Sequence, residues 1–152
     1  MTKVIAENYG GTAKADYFNL TVGEESVKSG ESNEYEANTP YAINESALTG
    51  YEFVSITGDA KCPSVLGGTI TLDEGDDITC TITNKDLPAQ LTVIKNVINT
   101  GNDGTKSASD FTINVEGTDV SEESFEGSET GVTVTLDQGT FKVTEVEDTV
   151  NY

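Results

Sequence analysis

The chain has 152 residues, with 27 Asp or Glu against 8 Lys, no Arg, no His, no Trp and a formal net charge of −19. That charge repels phosphate wherever screening allows, which argues against nucleic-acid binding, and the lack of groups titrating near neutral pH argues against turnover of external substrates. No apolar run approaches the ~18 residues of a membrane-crossing helix, no secretion-signal pattern opens the chain, and Met1 reads as the start of an expressed or processed fragment.

With 35% hydrophobic residues the chain suits one or two small, thinly packed units. Helical periodicity is almost absent, while Val, Ile and Thr alternate in short runs punctuated by Gly, Asn, Asp and Ser, the pattern of an all-β sandwich. In chain order the predicted strands are Thr2 to Glu7, Tyr17 to Val22, Ser32 to Glu36, Tyr41 to Glu45, Glu52 to Thr57, Gly68 to Leu72 and Asp77 to Asn84. Asp73-Glu74-Gly75-Asp76 supplies the turn of a terminal hairpin, because Gly and Asp tolerate positive φ. Leu87-Pro88-Ala89-Gln90 reads as a joint between a domain at 1–86 and a second at 91–152. The later strands are Leu91 to Ile98, Phe111 to Val115, Val132 to Leu136 and Phe141 to Val146.

The two segments read as copies of one unit. Thr2-Lys3-Val4-Ile5 matches Ile94-Lys95-Asn96-Val97, Ala15-Asp16-Tyr17-Phe18 matches Ala108-Ser109-Asp110-Phe111, and Tyr41-Ala42-Ile43-Asn44-Glu45 matches Phe141-Lys142-Val143-Thr144-Glu145. Asn151-Tyr152 corresponds to Gly50-Tyr51, so the second copy has no counterpart of Glu52 through Lys85. This reads either as an arbitrary boundary or as an open groove that accepts a strand.

Side chains alternate faces along a strand, so parity sorts inward from outward positions. Asn84 falls with Ile78, Cys80 and Ile82, Glu45 with Tyr41 and Ile43, and Lys3 with Ile5; Lys95 falls with Leu91, Val93 and Val97, and Glu145 with Phe141 and Val143. Lys and Glu are almost never fully buried unless paired. Either these positions lie at frayed ends, with Asn84 capping the last strand, or the first copy aims a Lys, a Glu and an Asn into its own interior.

Thr2-Lys3-Val4, Tyr41-Ala42-Ile43-Asn44-Glu45 with Gly50-Tyr51, and Cys80-Thr81-Ile82-Thr83-Asn84 resemble the CnaB or SpaA-like prealbumin-fold repeats of microbial surface proteins. Leu91-Thr92-Val93-Ile94-Lys95 through Ala108-Ser109-Asp110-Phe111 is similar to their opening strands. The resemblance implies tandem immunoglobulin-like or prealbumin-like sandwiches, the second incomplete at its C-terminus. It also implies a self-formed isopeptide bond in which Lys3 is the nucleophile, Asn84 the acyl donor and Glu45 the proton shuttle, bonding to the Asn84 carbonyl. The usual Pro before Gly50-Tyr51 is missing, and Asn151 stands where Gly is expected. Lys95 and Glu145 have no acceptor, so Lys95 is expected to stay uncross-linked unless a strand resembling Asp77 to Asn84 is supplied.

Cys62 and Cys80, an even pair in a secreted-looking chain, suggest a disulfide; the alternative is a buried free thiol at Cys80. Two Cys and no His argue against zinc. Asp73-Glu74-Gly75-Asp76-Asp77 and Asn99-Thr100-Gly101-Asn102-Asp103-Gly104 offer oxygen ligands, yet neither has the spacing of a calcium loop and turn formation accounts for both.

The reading is an extracellular, cell-surface structural module of an adhesin, stalk or filament. It needs no cofactor, has neighbouring repeats or a complementing strand as partners, and acts only once, on itself. The alternatives are a calcium- or glycan-binding surface module, or a subunit that polymerises by strand donation.

Overall fold

A computed structural model describes residues 1–100 and 104–146. The chain divides into two compact units, Met1–Leu87 and a second beginning at Pro88. Both are built of strands, with only two three-residue 3-10 turns, Ala15–Tyr17 and Ala108–Asp110, among the described residues.

The first unit contains β1 (Thr2–Ala6), β2 (Leu20–Val22), β3 (Glu25–Val27), β4 (Pro40–Glu45), β5 (Tyr51–Gly58), β6 (Thr69–Thr71) and β7 (Cys80–Asp86). They form two sheets, β1-β7-β5 and β3-β2-β4-β6. Both sheets contribute to one apolar cluster of Phe18, Leu20, Val22, Val27, Ile43, Ile56, Ile70, Cys80 and Ile82. In β7, Cys80, Ile82, Asn84 and Asp86 are buried while Thr81, Thr83 and Lys85 are half-buried, the two-residue period of a strand with one face on a core. β7 lies parallel to β1, with Lys3 opposite Ile82 and Ile5 opposite Asn84, and antiparallel to β5.

The second unit contains β8 (Ala89–Val93), β9 (Thr112–Glu116), β10 (Ser124–Glu126), β11 (Val132–Leu136) and β12 (Lys142–Glu145). β9 pairs with β10 and β12 as β2 pairs with β3 and β4, and the registers agree: Glu45 lies opposite Leu20, and Glu145 opposite Ile113. Its core is Ile113, Val115, Phe125, Val134 and Leu136.

Several sequence expectations need correction. Ser32 to Glu36 forms no strand, having one apolar residue, Tyr35, and no pairing partner. β3 and β10, each of three residues, were not anticipated; the Gly23-Glu24 turn at positive Gly23 φ returns β3 onto β2. The turn at 73–76 exists, with Gly75 at φ 81°, but no hairpin does, because β6 pairs with β4 whereas β7 joins the other sheet. The predicted Asp77 to Asn84 strand starts later and runs on to Asp86. The joint at 87–90 is shorter than expected, since Ala89 and Gln90 already pair with Leu136 and Thr135. β8 ends at Val93 rather than Ile98. Val143 sits opposite buried Val115, hence on the core face, yet is 46% exposed because no described strand covers it.

Candidate functional site

Lys3, Glu45 and Asn84 come from β1, β4 and β7, three strands distributed over both sheets, and meet between them. All three are buried, at 6%, 9% and 3% exposure. Lys3 Nζ donates to Asn84 Oδ1 at 2.5 Å and lies 2.7 Å from Glu45 Oε2, while Asn84 Nδ2 donates to Glu45 Oε1 at 2.6 Å. Each polar atom of the trio therefore has a partner, which is what makes burial of the two charges tolerable. Burial lowers the Lys3 pKa below its ordinary 10.5, against the opposing hydrogen bond and charge of Glu45.

The resemblance implies Glu45 on the carboxamide oxygen; instead Glu45 accepts from the carboxamide nitrogen and Lys3 holds the oxygen. With the proton on Lys3 this is the orientation that satisfies both charged groups, since an ammonium only donates and a carboxylate only accepts.

Phe18 completes the site in a way the strand pattern did not reveal. The Ala15–Tyr17 turn delivers its ring beneath Lys3 Nζ, 4.2 Å from the ring centroid. Tyr51 meets Phe18 edge-on at 5.6 Å. Phe18 repeats as Phe111 in the second copy, and the recurrence of an aromatic after the Ala-initiated turn was the available signal.

Lys95 and Glu145 form the corresponding pair in the second unit, 2.8 Å apart, with Lys95 Nζ 4.1 Å from the Phe111 ring centroid. The Lys95 backbone N–H donates to Ser128 O, as that of Lys3 donates to Ser29 Oγ. Lys95 is thus ion-paired. Its side chain is 20% exposed and that of Glu145 35%, against 0% and 2% for Lys3 and Glu45. Among the described residues β8 pairs with β11 alone, so no strand stands where β7 stands against β1.

Cys62 and Cys80 are disulfide-bonded, and no cysteine is free. The bond ties the loop after β5 to the start of β7, four residues before Asn84, and bonds of this kind persist in oxidising compartments. Reduction opens an 18-residue separation and is expected to remove about 3 kcal/mol in the chain-entropy approximation. Thermal melting with and without reductant checks this, the reduced first unit melting lower.

The acidic turn at 73–77 carries its own cation: Lys61 Nζ bonds Asp73 Oδ2 at 2.8 Å and also Asp76 Oδ2, while Glu74 Oε1 accepts from Asn38 Nδ2 at 2.8 Å. The other acidic turn, at 99–104, lies partly outside the described residues, as does the predicted end of the second copy at Asn151. Among the described residues no His, Cys, Asp or Glu cluster is arranged to hold a metal, and no helix is long and apolar enough to cross a membrane.

Compared with known proteins, the chain is matched twice by a family model of the SpaA type described as a prealbumin-like fold domain, over residues 1–82 and 86–152. No curated protein and no solved structure matches it. With nearly all of its length covered in two successive matches, the chain belongs to the SpaA-type prealbumin-like fold domain family.

Proposed function

We propose that the first unit is a structural module of a cell-surface stalk or filament, closed by an isopeptide bond between Lys3 and Asn84. The observation that carries this reading is the buried contact of Lys3 Nζ with the Asn84 carboxamide, with Glu45 in contact with both groups. Family membership supports the structural role, and the disulfide suits an extracellular setting.

The chemistry follows from the geometry. Lys3 passes a proton to Glu45 across 2.7 Å, leaving a neutral amine and a carboxylic acid in a dry site. The carboxamide orientation then favoured is the reverse one, with the Glu45 hydroxyl on Oδ1, where it stabilises the developing oxyanion. Nζ attacks Cγ of Asn84. As the Nζ–Cγ bond forms and the Cγ–Nδ2 bond breaks, Glu45 relays the second Nζ proton to Nδ2, which departs as ammonia, and Glu45 keeps the proton first taken from Lys3. An amide is a poor electrophile in water, but near-attack positioning supplies effective molarities of roughly 10⁵ M or more. Folding is the catalyst, and the event occurs once per molecule.

Parallel pairing of β1 and β7 explains the mechanical use. Tension applied to the start of β1 and the end of β7 shears their ladder, and a bond from Lys3 to Asn84 carries that load past residues 4–83. Intact mass spectrometry of unreduced and reduced protein tests the reading: the reduced protein is one ammonia lighter than its sequence, the unreduced protein lighter by a further two hydrogens for the disulfide, and a full sequence mass after reduction would refute the bond.

A second reading concerns the other unit, where the Lys95–Glu145 pair over Phe111 and an edge of β8 that pairs with no strand among the described residues reproduce the first site without an acceptor strand. A strand with the sequence of residues 77–86 is expected to add there and react with Lys95. Mixing the isolated peptide with the protein should give an adduct that survives denaturing electrophoresis and disappears in Lys95→Ala; no adduct with the wild type would dispose of strand donation.

A further inference from the structure

Two residues beyond Asn84, on the same face of β7, Asp86 is 2% exposed, and its carboxylate is held by backbone N–H groups. Its Oδ1 accepts from the Asn8 backbone N–H at 2.7 Å, and its Oδ2 from those of Tyr9 and Gly11 at 2.8 Å each. Burial by itself would raise this carboxyl; the backbone N–H groups of Asn8, Gly11 and Tyr9, together with that of Asp86 itself, outweigh it and hold the group below its ordinary 3.8. The ladder between β1 and β7 ends at Ala6 opposite Lys85, so the Asp86 carboxylate takes over where the ladder stops and grips the chain as it leaves β1.

This grip connects to the platform beneath Lys3. A Cβ on Gly11 would lie 2.5 Å from Tyr51 Oη and 2.9 Å from Asp86 Cβ, so the loop can seat itself only because residue 11 is glycine. Tyr51 stands opposite Asp86 in β5, accepts the Ala13 N–H through its hydroxyl at 2.9 Å, and presses edge-on against Phe18, whose ring lies under Lys3 Nζ. Both strands that carry the reacting groups, and the aromatic that supports the amine, are thereby referenced to one carboxylate.

We propose that Asp86 is a positioning residue for the Lys3–Asn84 cross-link: by clamping the Asn8–Gly11 backbone onto β7 it fixes the register and approach that bring the amine against the carboxamide. This rests on the cross-link reading above. Asp86 touches neither reacting atom, so its effect is on the rate at which folded molecules react and not on whether the chemistry is available.

The test is the half-time of ammonia loss, read by intact mass at intervals after a cell-free translation pulse of the full chain. Asp86→Asn keeps the shape and one carbonyl acceptor but removes the other, and should lengthen the half-time about tenfold or more, with Asp86→Ala slower still. Gly11→Ala lifts the same loop from the opposite side and should also slow the reaction, and the double variant Asp86→Asn/Gly11→Ala should be no slower than the slower single. Ile70→Val, in β6 of the other sheet, serves as the control for lost stability alone and should react at the wild-type rate. An Asp86→Asn half-time within about twofold of wild type, or equal slowing by Ile70→Val, would overturn the positioning role while leaving the cross-link intact. If Asp86→Asn fails to fold, Gly11→Ala decides: slowed reaction in its folded fraction supports the clamp, and a wild-type rate overturns it. A wild-type chain that never loses ammonia overturns both readings.

Discussion

Replacing Glu45 with glutamine yields a folded protein of full sequence mass, with Lys3 and Asn84 unjoined. Glutamine has the size of glutamate and can still bond to the Asn84 carboxamide, but it cannot take the proton that holds Lys3 as an ammonium, so the amine is never freed to attack. Without the bond the first unit loses a constraint spanning 81 residues, from Lys3 to Asn84. By the loop-entropy relation used for disulfides, closing a loop of that size is worth about 4.5 kcal/mol. For a domain of this length the missing bond alone corresponds to a melting point lower by about 20 to 30 °C, and Lys3, left as a buried ammonium without its carboxylate, lowers it further. Calorimetry and intact mass on the same sample should change together. A Glu45→Gln protein that is one ammonia light would remove Glu45 from the mechanism.

Lys3→Met is expected to destabilise the first unit by a similar amount, because it too removes the bond and leaves the other member of the buried pair alone. Glu45, whose side chain is 2% exposed, is left without the ammonium that stands 2.7 Å away before the bond forms, so the ionised carboxylate has no cation in its buried site. Leaving one member of a buried pair alone costs about 3–5 kcal/mol, which on top of the missing cross-link approaches the whole stability of a small domain. The variant should sit at the edge of unfolding in water. Lys3→Met/Glu45→Gln, with no ionised group left in the site, should recover about 2 kcal/mol or more of the loss. Urea unfolding followed by circular dichroism distinguishes the two; equal midpoints would mean that the ion pair contributes nothing beyond the bond.

Parity along short strands was the most legible feature of the sequence. It placed Asn84 with Cys80 and Ile82 on the core face of β7, and Glu45 with Ile43 on β4, as the structure has them. The repeat was legible too, because a Lys, an aromatic and a Glu recur in fixed order and come together in both units. Pairing partners were not. The turn chemistry at 73–76 is the same whether the chain folds back on itself or crosses to the other sheet, and only the demand that β7 lie between β1 and β5 decides it. Asp86 escaped notice because its partners are backbone N–H groups in a loop, which leave no mark on the pattern of side chains. Glu145 and Val143 were correctly assigned to the inward face by parity, but burial also requires a covering strand, and none of the described residues provides it.

Digestion of the unfolded, reduced protein followed by tandem mass spectrometry tests the central claim most directly. The account predicts one branched peptide in which the side chain of Lys3 is joined to that of Asn84, with trypsin failing to cleave after Lys3. Recovery of linear peptides carrying an unmodified Lys3 and an intact Asn84 as the dominant species from folded wild-type protein would contradict it.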